Sequence, residues 1–322
     1  MPTQTATQTE TSHIPVIDLG PLRDGSAPRE VAQAIHRASR DIGFIYVSNH
    51  GIPEELITRT RETAMRFFHS DADKKAALGI SAKHRGFLQV GGAKMQDDAQ
   101  PDLKESFIWG FENADGSAAD DHPLRGPNRW PDDMPELRET AMAYFEAAHG
   151  VAQELMRAFA LGLDLPEDFF VKGHDRPMSR ASMIYYPPQD TQSDSGRFGV
   201  GPHTDFGVLT LLCQDDVGGL QVEDLRGNWI PAPPIRGTLV VNVGDLLARW
   251  TNDAYRSTPH RVINTSGKER LSLVLAYDPD YPTLIDPRSV TAAPLRAGND
   301  PITCGDYLVE RFGRAFGYRK EG

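Results

Sequence analysis

Cysteine is nearly absent from this chain. Two residues, Cys213 and Cys304, stand far apart in 322, too few for a disulfide framework or a zinc ribbon. Cys213 lies in the apolar run 208–213 and is expected to be a buried core thiol. Such sparing use fits a reducing cytoplasm. Positive charge is also short: 34 Lys and Arg face 45 Asp and Glu, giving a net charge of −11 and a pI of about 5.4. A nucleic-acid-binding surface needs clustered cations to displace counterions from phosphate. The nearest approach here, Lys74-Lys75, sits among Asp71, Asp73 and Ala76. No nucleic-acid partner is therefore expected, and the excess acid is read as serving solubility. No uninterrupted apolar run reaches the ~18 residues of a membrane span, so no membrane association is expected. Residues 1–12, rich in Thr and Gln, lack the charged start and apolar stretch of a signal peptide and are expected to form a disordered tail. There is no internal repeat, no low-complexity linker and no His-Glu-x-x-His zinc pattern. Gly218-Gly219 lacks the following Lys-Ser/Thr of a phosphate loop, so it reads as a turn.

What is present is an ordinary globular composition, 39% hydrophobic and 25% charged, enough for a sizeable core. Residues 14–19 read as a short strand. Residues 27–39 have helical spacing, with Val31, Ala34, Ile35 and Ala38 on one face. The β-rich run 43–48 ends at the turn signal Asn49-His50-Gly51. Pro53 then opens a helix running to about Phe68, and a further helix is predicted over 71–78. A strand is predicted over 105–109, a loop over 116–133, and a long helix over 134–163, where Leu137, Ala141, Tyr144, Phe145 and Ala148 recur at helical spacing. From residue 181 the character changes to short β-rich runs separated by turns: 181–186, 208–213, 220–222, 238–243, 260–263 and 271–277. A helix over 304–316 follows. Many short strands with turn punctuation predict a β-sandwich or jelly roll. The division expected is a mixed helical region, 13–180, packed on a β core, 181–322, as one compact α+β unit.

The chemistry-bearing residues lie in that β-rich half. In Gly201-Pro-His-Thr-Asp-Phe206, His203 and Asp205 are two apart, and on an extended backbone such residues point to the same side. A third candidate is His260. Two His and one carboxylate on one face of a metal, with the opposite positions open, is the donor set used for O2 activation at Fe(II). Arg270 and Ser272 also share one strand face. A guanidinium gives two parallel hydrogen bonds to a carboxylate and a hydroxyl a third, which suits the far end of a dicarboxylic acid whose near end chelates a metal. Tyr186, at the end of the 181–186 run, is placed to add another hydroxyl.

This combination, His203-x-Asp205, His260 and Arg270-x-Ser272, resembles the 2-oxoglutarate/Fe(II) dioxygenase superfamily, and within it the isopenicillin N synthase-like branch. Further matches are Pro15-Val-Ile-Asp-Leu19, Gly43-Phe-Ile-Tyr-Val-Ser-Asn-His-Gly-Ile-Pro53, Tyr186-Pro-Pro188, Gly218-Gly-Leu-Gln-Val222 and Asn242-Val-Gly-Asp245; together they span about 14–279. The resemblance implies a double-stranded β-helix (jelly-roll) core with N-terminal helices around it. It implies His203, Asp205 and His260 as ligands of Fe(II), and Arg270 and Ser272, helped by Tyr186, as the 2-oxoglutarate site. The expected reaction is hydroxylation of a small molecule by O2, with release of succinate and CO2. Asp205 argues against halogenation, because halogenating relatives lack the carboxylate ligand; desaturation and ring formation stay open. One departure stands out: many plant members carry Asn where this chain has Ile184.

Other residues have plainer readings. His13, His36, His69, His84, His122, His149 and His174 show no partner pattern and are read as surface or structural, as is His50 in its turn. Trp109, Trp229 and Trp250 are expected in the core. Phe206 is expected to point away from the ligand pair if the backbone there is extended. Arg85-Gly86-Phe87 lies where relatives place a segment near the substrate. Two rival functions remain. One is an oxidase of the same fold that uses no 2-oxoglutarate and grips a substrate carboxylate with Arg270 and Ser272. The other is a metal- and 2-oxoglutarate-binding sensor without turnover, for which no output domain is visible. The sequence leaves substrate and oligomeric state open; a monomer is compatible with it.

Overall fold

The computed structural model describes residues 13–92, 102–113, 122–189 and 198–316; the expected tail at 1–12 and part of the expected 116–133 loop lie outside them. The elements are β1 (Val16–Asp18), α1 (Gly20–Arg23), α2 (Pro28–Asp41), β2 (Phe44–Ser48), α3 (Glu54–Phe68), α4 (Ala72–Ala77), β3 (Gly86–Leu88), β4 (Glu105–Gly110), α5 (Pro135–Gly162), β5 (Arg180–Tyr186), β6 (Val200–His203), β7 (Leu209–Cys213), β8 (Leu220–Glu223), β9 (Trp229–Pro231), β10 (Thr238–Val243), α6 (Asp245–Trp250), β11 (His260–Val262), β12 (Arg270–Tyr277), β13 (Leu284–Ile285), β14 (Ile302–Thr303) and α7 (Cys304–Ala315). An eight-stranded sheet runs in the order β1-β2-β10-β7-β12-β5-β4-β3, and a four-stranded sheet in the order β6-β11-β8-β9. Apart from β1 beside β2, their strand pairs are antiparallel. The fold is the expected α+β jelly roll. The large sheet takes strands from both sides of residue 180.

Strand periodicity explains why the large sheet is covered on both faces. In β2, Ile45 and Val47 join one core with Val31, Ile35, Leu155 and Phe159 of the helices, while Phe44 and Tyr46 join a second core with Tyr186, Leu220, Val222 and Val262. β10 and β12 alternate in the same way: Leu239, Val241, Leu273 and Leu275 face the helices, and Val240 faces the other sheet. Successive strand residues point to opposite faces, so a run buried on both faces reads as uninterrupted apolar sequence.

α5 carries Leu137, Ala141, Tyr144, Ala148, Ala152, Leu155 and Phe159 buried along one stripe. Each such large side chain contributes roughly 1.5–3 kcal/mol on burial, so this helix anchors the sheet that holds the site. Gly43 makes the turn from α2 into β2 with φ +72, and a Cβ there would lie 2.2 Å from the Arg256 carbonyl oxygen. No other residue type reconciles that conformation with that approach.

The long helices and most β-rich runs fall where the sequence places them. α1, β3, β6, β9, α6, β13 and β14 are additions. They are short, at six residues or fewer, and give too few periods to register as patterns. Trp109 and Trp250 are core residues as expected, while Trp229 is half-buried beneath the Arg261 guanidinium, 4.2 Å from its ring.

Candidate functional site

Three candidate ligands converge between the sheets. His203 ends β6 and His260 begins β11, and the two are paired across the antiparallel ladder. Their ring centroids lie 4.2 Å apart. Asp205 follows β6, with Oδ1 3.7 Å from His203 Nε2 and 3.8 Å from His260 Nε2. One ligand atom from each of the three lies within 4.8 Å of the others.

Asp205 meets His203 as the two-residue spacing predicts, although β6 stops at His203. Its neighbours hold it there: its Oδ2 accepts a 2.8 Å hydrogen bond from Asn242 Nδ2, and its carbonyl accepts one of 2.7 Å from the Asp245 N–H. Phe206 is corrected. Off the extended conformation, it lines the same cavity as His203 and Asp205.

The protonation geometry suits a metal. His203 Nδ1 lies 2.8 Å from the Gly201 carbonyl oxygen and His260 Nδ1 3.2 Å from that of Thr258. A carbonyl oxygen only accepts, so each Nδ1 carries the proton and donates. Each Nε2 is thereby left with a free lone pair toward Asp205. Burial first, and then the neighbouring His260, holds the His203 imidazole well below its usual range. For Asp205, burial raises the carboxyl, but the histidines beside it and the Asn242 hydrogen bond outweigh it and keep it ionised. The set is two imidazoles that present Nε2 and one carboxylate, which is the donor chemistry of Fe(II).

Asp245 ties this corner together. Its Oδ1 accepts from Ser257 Oγ at 2.6 Å, and its Oδ2 accepts from Thr204 Oγ1 at 3.2 Å and Arg311 Nη2 at 3.1 Å. It thus joins the Asp205 loop, the approach to His260 and α7. Asn242 and Asp245 both stand in the Asn242-Val-Gly-Asp245 pattern seen in the sequence, where neither carried a role. Two other residues escaped the sequence reading: His84, taken as surface or structural, is buried and lines the site cavity, and Phe312 of α7 lines it too. His50 is buried but borders a different cavity, with Glu54 and Arg61.

Arg270 and Ser272 sit on β12, on the face turned to the smaller sheet. Arg270 pairs in register with Tyr186 of β5, and Ser272 with Ile184. Arg270 is 1% exposed. Its Nε donates to the Gly218 carbonyl oxygen at 2.7 Å, and its Cζ lies 4.6 Å over the Tyr186 ring. Both Nη atoms and the Ser272 Oγ are buried without a partner among the described residues. A buried cation with two idle donors is costly unless an anion meets it. Glu269, its neighbour, does not supply one: its Oε2 is held outside the barrel by His69 Nε2 at 2.8 Å and the Tyr185 hydroxyl at 3.1 Å. The orphaned fork and hydroxyl therefore fit a carboxylate ligand.

Known proteins resemble the chain along nearly its whole length. Residues 14–133 match the model described as non-haem dioxygenase in morphine synthesis N-terminal. Residues 179–279 match that of the 2OG-Fe(II) oxygenase superfamily. The 2-oxoglutarate-Fe(II) type oxidoreductase hxnY of Emericella nidulans is 35% identical, covering 95% of this chain and 93% of that one. Homoarginine-6-hydroxylase 2-ODD-C23 of Glycine max is 34% identical over 87% of this chain and 89% of its own. Among solved structures, full-length Neurospora crassa T7H in complex with alpha-KG superposes with a TM-score of 0.84 at 31% identity, covering 95% of this chain and 98% of that one.

Proposed function

The chain belongs to the 2OG-Fe(II) oxygenase superfamily, and from that premise we propose that His203, Asp205 and His260 hold Fe(II) while Arg270 and Ser272 receive the far carboxylate of 2-oxoglutarate. The protein is a 2-oxoglutarate-dependent dioxygenase acting on a small molecule with O2. Bound together, Fe(II) and 2-oxoglutarate supply an oxidant able to hydroxylate an unactivated C–H bond, with succinate and CO2 as coproducts.

The chain's own residues do the rest. The Gly201 and Thr258 carbonyls set both histidine tautomers, and Asn242 keeps one Asp205 oxygen occupied so that the other turns to the metal. Gly218 and the Tyr186 ring hold the Arg270 guanidinium from behind, leaving its two Nη groups free. Tyr186 thus acts through its ring face as a support for Arg270. Ile184, where many plant relatives carry Asn, puts an apolar group beside Ser272; the metal-chelating end of the cosubstrate is therefore positioned without that amide. Two free buried cysteines fit a reducing cytoplasm, and the acidic balance argues against nucleic-acid partners. Among the described residues no helix is long and apolar enough to cross a membrane.

The observation that carries this reading is the buried, unpartnered Arg270–Ser272 donor set beside a two-histidine, one-carboxylate cluster. Titrating 2-oxoglutarate calorimetrically without O2, with Fe(II) present, should show binding in the parent protein. His203→Ala should lose Fe(II) affinity and all succinate release. Full turnover by His203→Ala, or no 2-oxoglutarate binding by the parent, would refute the assignment.

A further inference from the structure

The inner face of the large sheet carries a second arginine. Along β5, Arg180, Ser182, Ile184 and Tyr186 share one face, while Ala181 and Met183 turn into the helix-side core. Tyr186 lies beneath Arg270 and Arg180 is paired with Ala276, six positions along the same β5–β12 ladder. At ~3.3 Å per residue the two arginines are anchored ~20 Å apart on the backbone. A cavity of about 170 Å³ opens on Arg180, Lys104, His203, Asp205 and Phe312, and Arg270 is not part of its lining. The inner face therefore has one cationic end for the cosubstrate and another that the cosubstrate does not use.

Both cations of this cavity are held from behind. Arg180 Nη1 donates to Asp278 Oδ2 at 2.9 Å, and Asp278 is fully buried. The Arg180 guanidinium lies 4.4 Å over the Phe312 ring, which fixes its plane. No partner among the described residues takes its remaining N–H groups. Lys104 Nζ lies 3.3 Å from Asp102 Oδ2, with both side chains buried; Asp102 is itself held by the Gly201 N–H. Neither Asp278 nor Asp102 lines the cavity. Among the described lining residues the only carboxylate is Asp205, which the metal takes. Among the described residues, a molecule in this space meets two anchored cations, an apolar wall from Ile108, Ile184 and Val274, and no free anion.

We propose, building on the dioxygenase reading above, that the substrate is a small carboxylic acid. Its carboxylate docks on Arg180 with Lys104 as the second cation, and its apolar body extends along Ile184 and Val274 toward the metal site. A planar fork with idle donors matches a carboxylate in two points. An ammonium-bearing substrate would meet like charge on both sides.

The test uses the full chain without O2, with an inert divalent ion and saturating 2-oxoglutarate. Phenylacetate and hexanoate are titrated against phenylacetamide and hexanamide, with benzylamine as the cationic control. At least one acid should bind about tenfold or more tighter than its amide, as expected for one charge-assisted contact, and benzylamine should not bind. Arg180→Gln should erase the acid–amide margin, and Arg180→Lys, which keeps a countercharge for Asp278, should reduce it. The comparison on the parent protein needs no variant, so it stands even if Arg180→Gln fails to fold. No acid outbinding its amide, or a margin intact in Arg180→Gln, overturns the proposal. The 2-oxoglutarate titration in the same samples separates the two levels. Its failure counts against the dioxygenase assignment, whereas normal 2-oxoglutarate binding without acid preference counts against the carboxylate substrate alone.

Discussion

Replacing Arg270 by Met should raise the stability of the ligand-free protein while removing its response to 2-oxoglutarate. Arg270 is 1% exposed and makes one hydrogen bond, to the Gly218 carbonyl; its two Nη atoms have no partner among the described residues. A cation buried without an anion opposes folding, and an apolar side chain of similar length removes that cost, a gain of roughly 1–4 kcal/mol in comparable cases. The lost Gly218 contact returns about 1 kcal/mol, leaving a net gain of roughly 0–3 kcal/mol, about 1.5 kcal/mol at its centre. In a chain this long that is a rise in Tm of about 2–4 °C. Adding 2-oxoglutarate at a hundred times its Kd stabilises the parent by about 2.7 kcal/mol. The Met variant loses two charge-assisted bonds, so affinity falls by ~100-fold or more, and the same concentration then contributes only about 0.4 kcal/mol. The order of the two melting curves therefore inverts on adding 2-oxoglutarate. Thermal unfolding with an inert divalent ion, with and without 2-oxoglutarate, reads this directly. A Met variant less stable than the parent without ligand, or equally stabilised by it, would show that Arg270 is a structural cation and refute the reasoning.

Asn242→Leu removes the 2.8 Å hydrogen bond to Asp205 Oδ2, and loss of such a supporting contact should weaken divalent-metal affinity about 10- to 100-fold, measurable by competition with a fluorescent chelator. Gly244→Ala puts a Cβ 2.1 Å from the Gly207 carbonyl oxygen and 3.1 Å from that of Asp205; it should cost roughly 1–3 kcal/mol and lower metal affinity as well, whereas a clash that only touched packing would lower Tm alone. His149 is held down to about 4 by burial and then by His174, against an unfolded value near 6.5. The unfolded chain thus binds the extra proton first, so stability is fully present above pH ~6.5 and is lost as pH falls toward 4, by up to about 3 kcal/mol. Denaturant titrations across that range should show this slope flattened in His149→Gln, and an unchanged slope would exclude His149 as its source.

Much of this was legible in the chain because it depends on local spacing. The apolar stripe of α5, the alternation in β2 and β10 and the Arg270-x-Ser272 pair each follow from one residue's distance along the sequence to the next. His203 and His260 were likewise readable as a pattern, since the superfamily spacing is itself a sequence property. The site's supporting residues were not. Asn242 and Asp245 appear as a motif, but which oxygen they hold depends on how β10 lies against the Asp205 loop. Arg180 carries no signal at all, standing as an isolated arginine at the start of an apolar strand. His84 read only as surface or structural, because its burial comes from Phe312 and Phe316, at ring distances of 4.7 and 4.8 Å, far away in sequence.

The chain by itself carried the class of fold, the candidate metal donors and the pair proposed for a carboxylate, because periodicity and ligand type are short-range facts. Only the tertiary structure decided how Asp205 reaches the histidines. The i, i+2 spacing sets the side, but the paired strand ends at His203, so the Asp245 N–H fixes the Asp205 backbone and Asn242 fixes its carboxylate from across the fold. The same holds for the second cation of the inner face. Which donors are left idle after folding depends on every other group competing for them, and that competition is settled only when the sheets close.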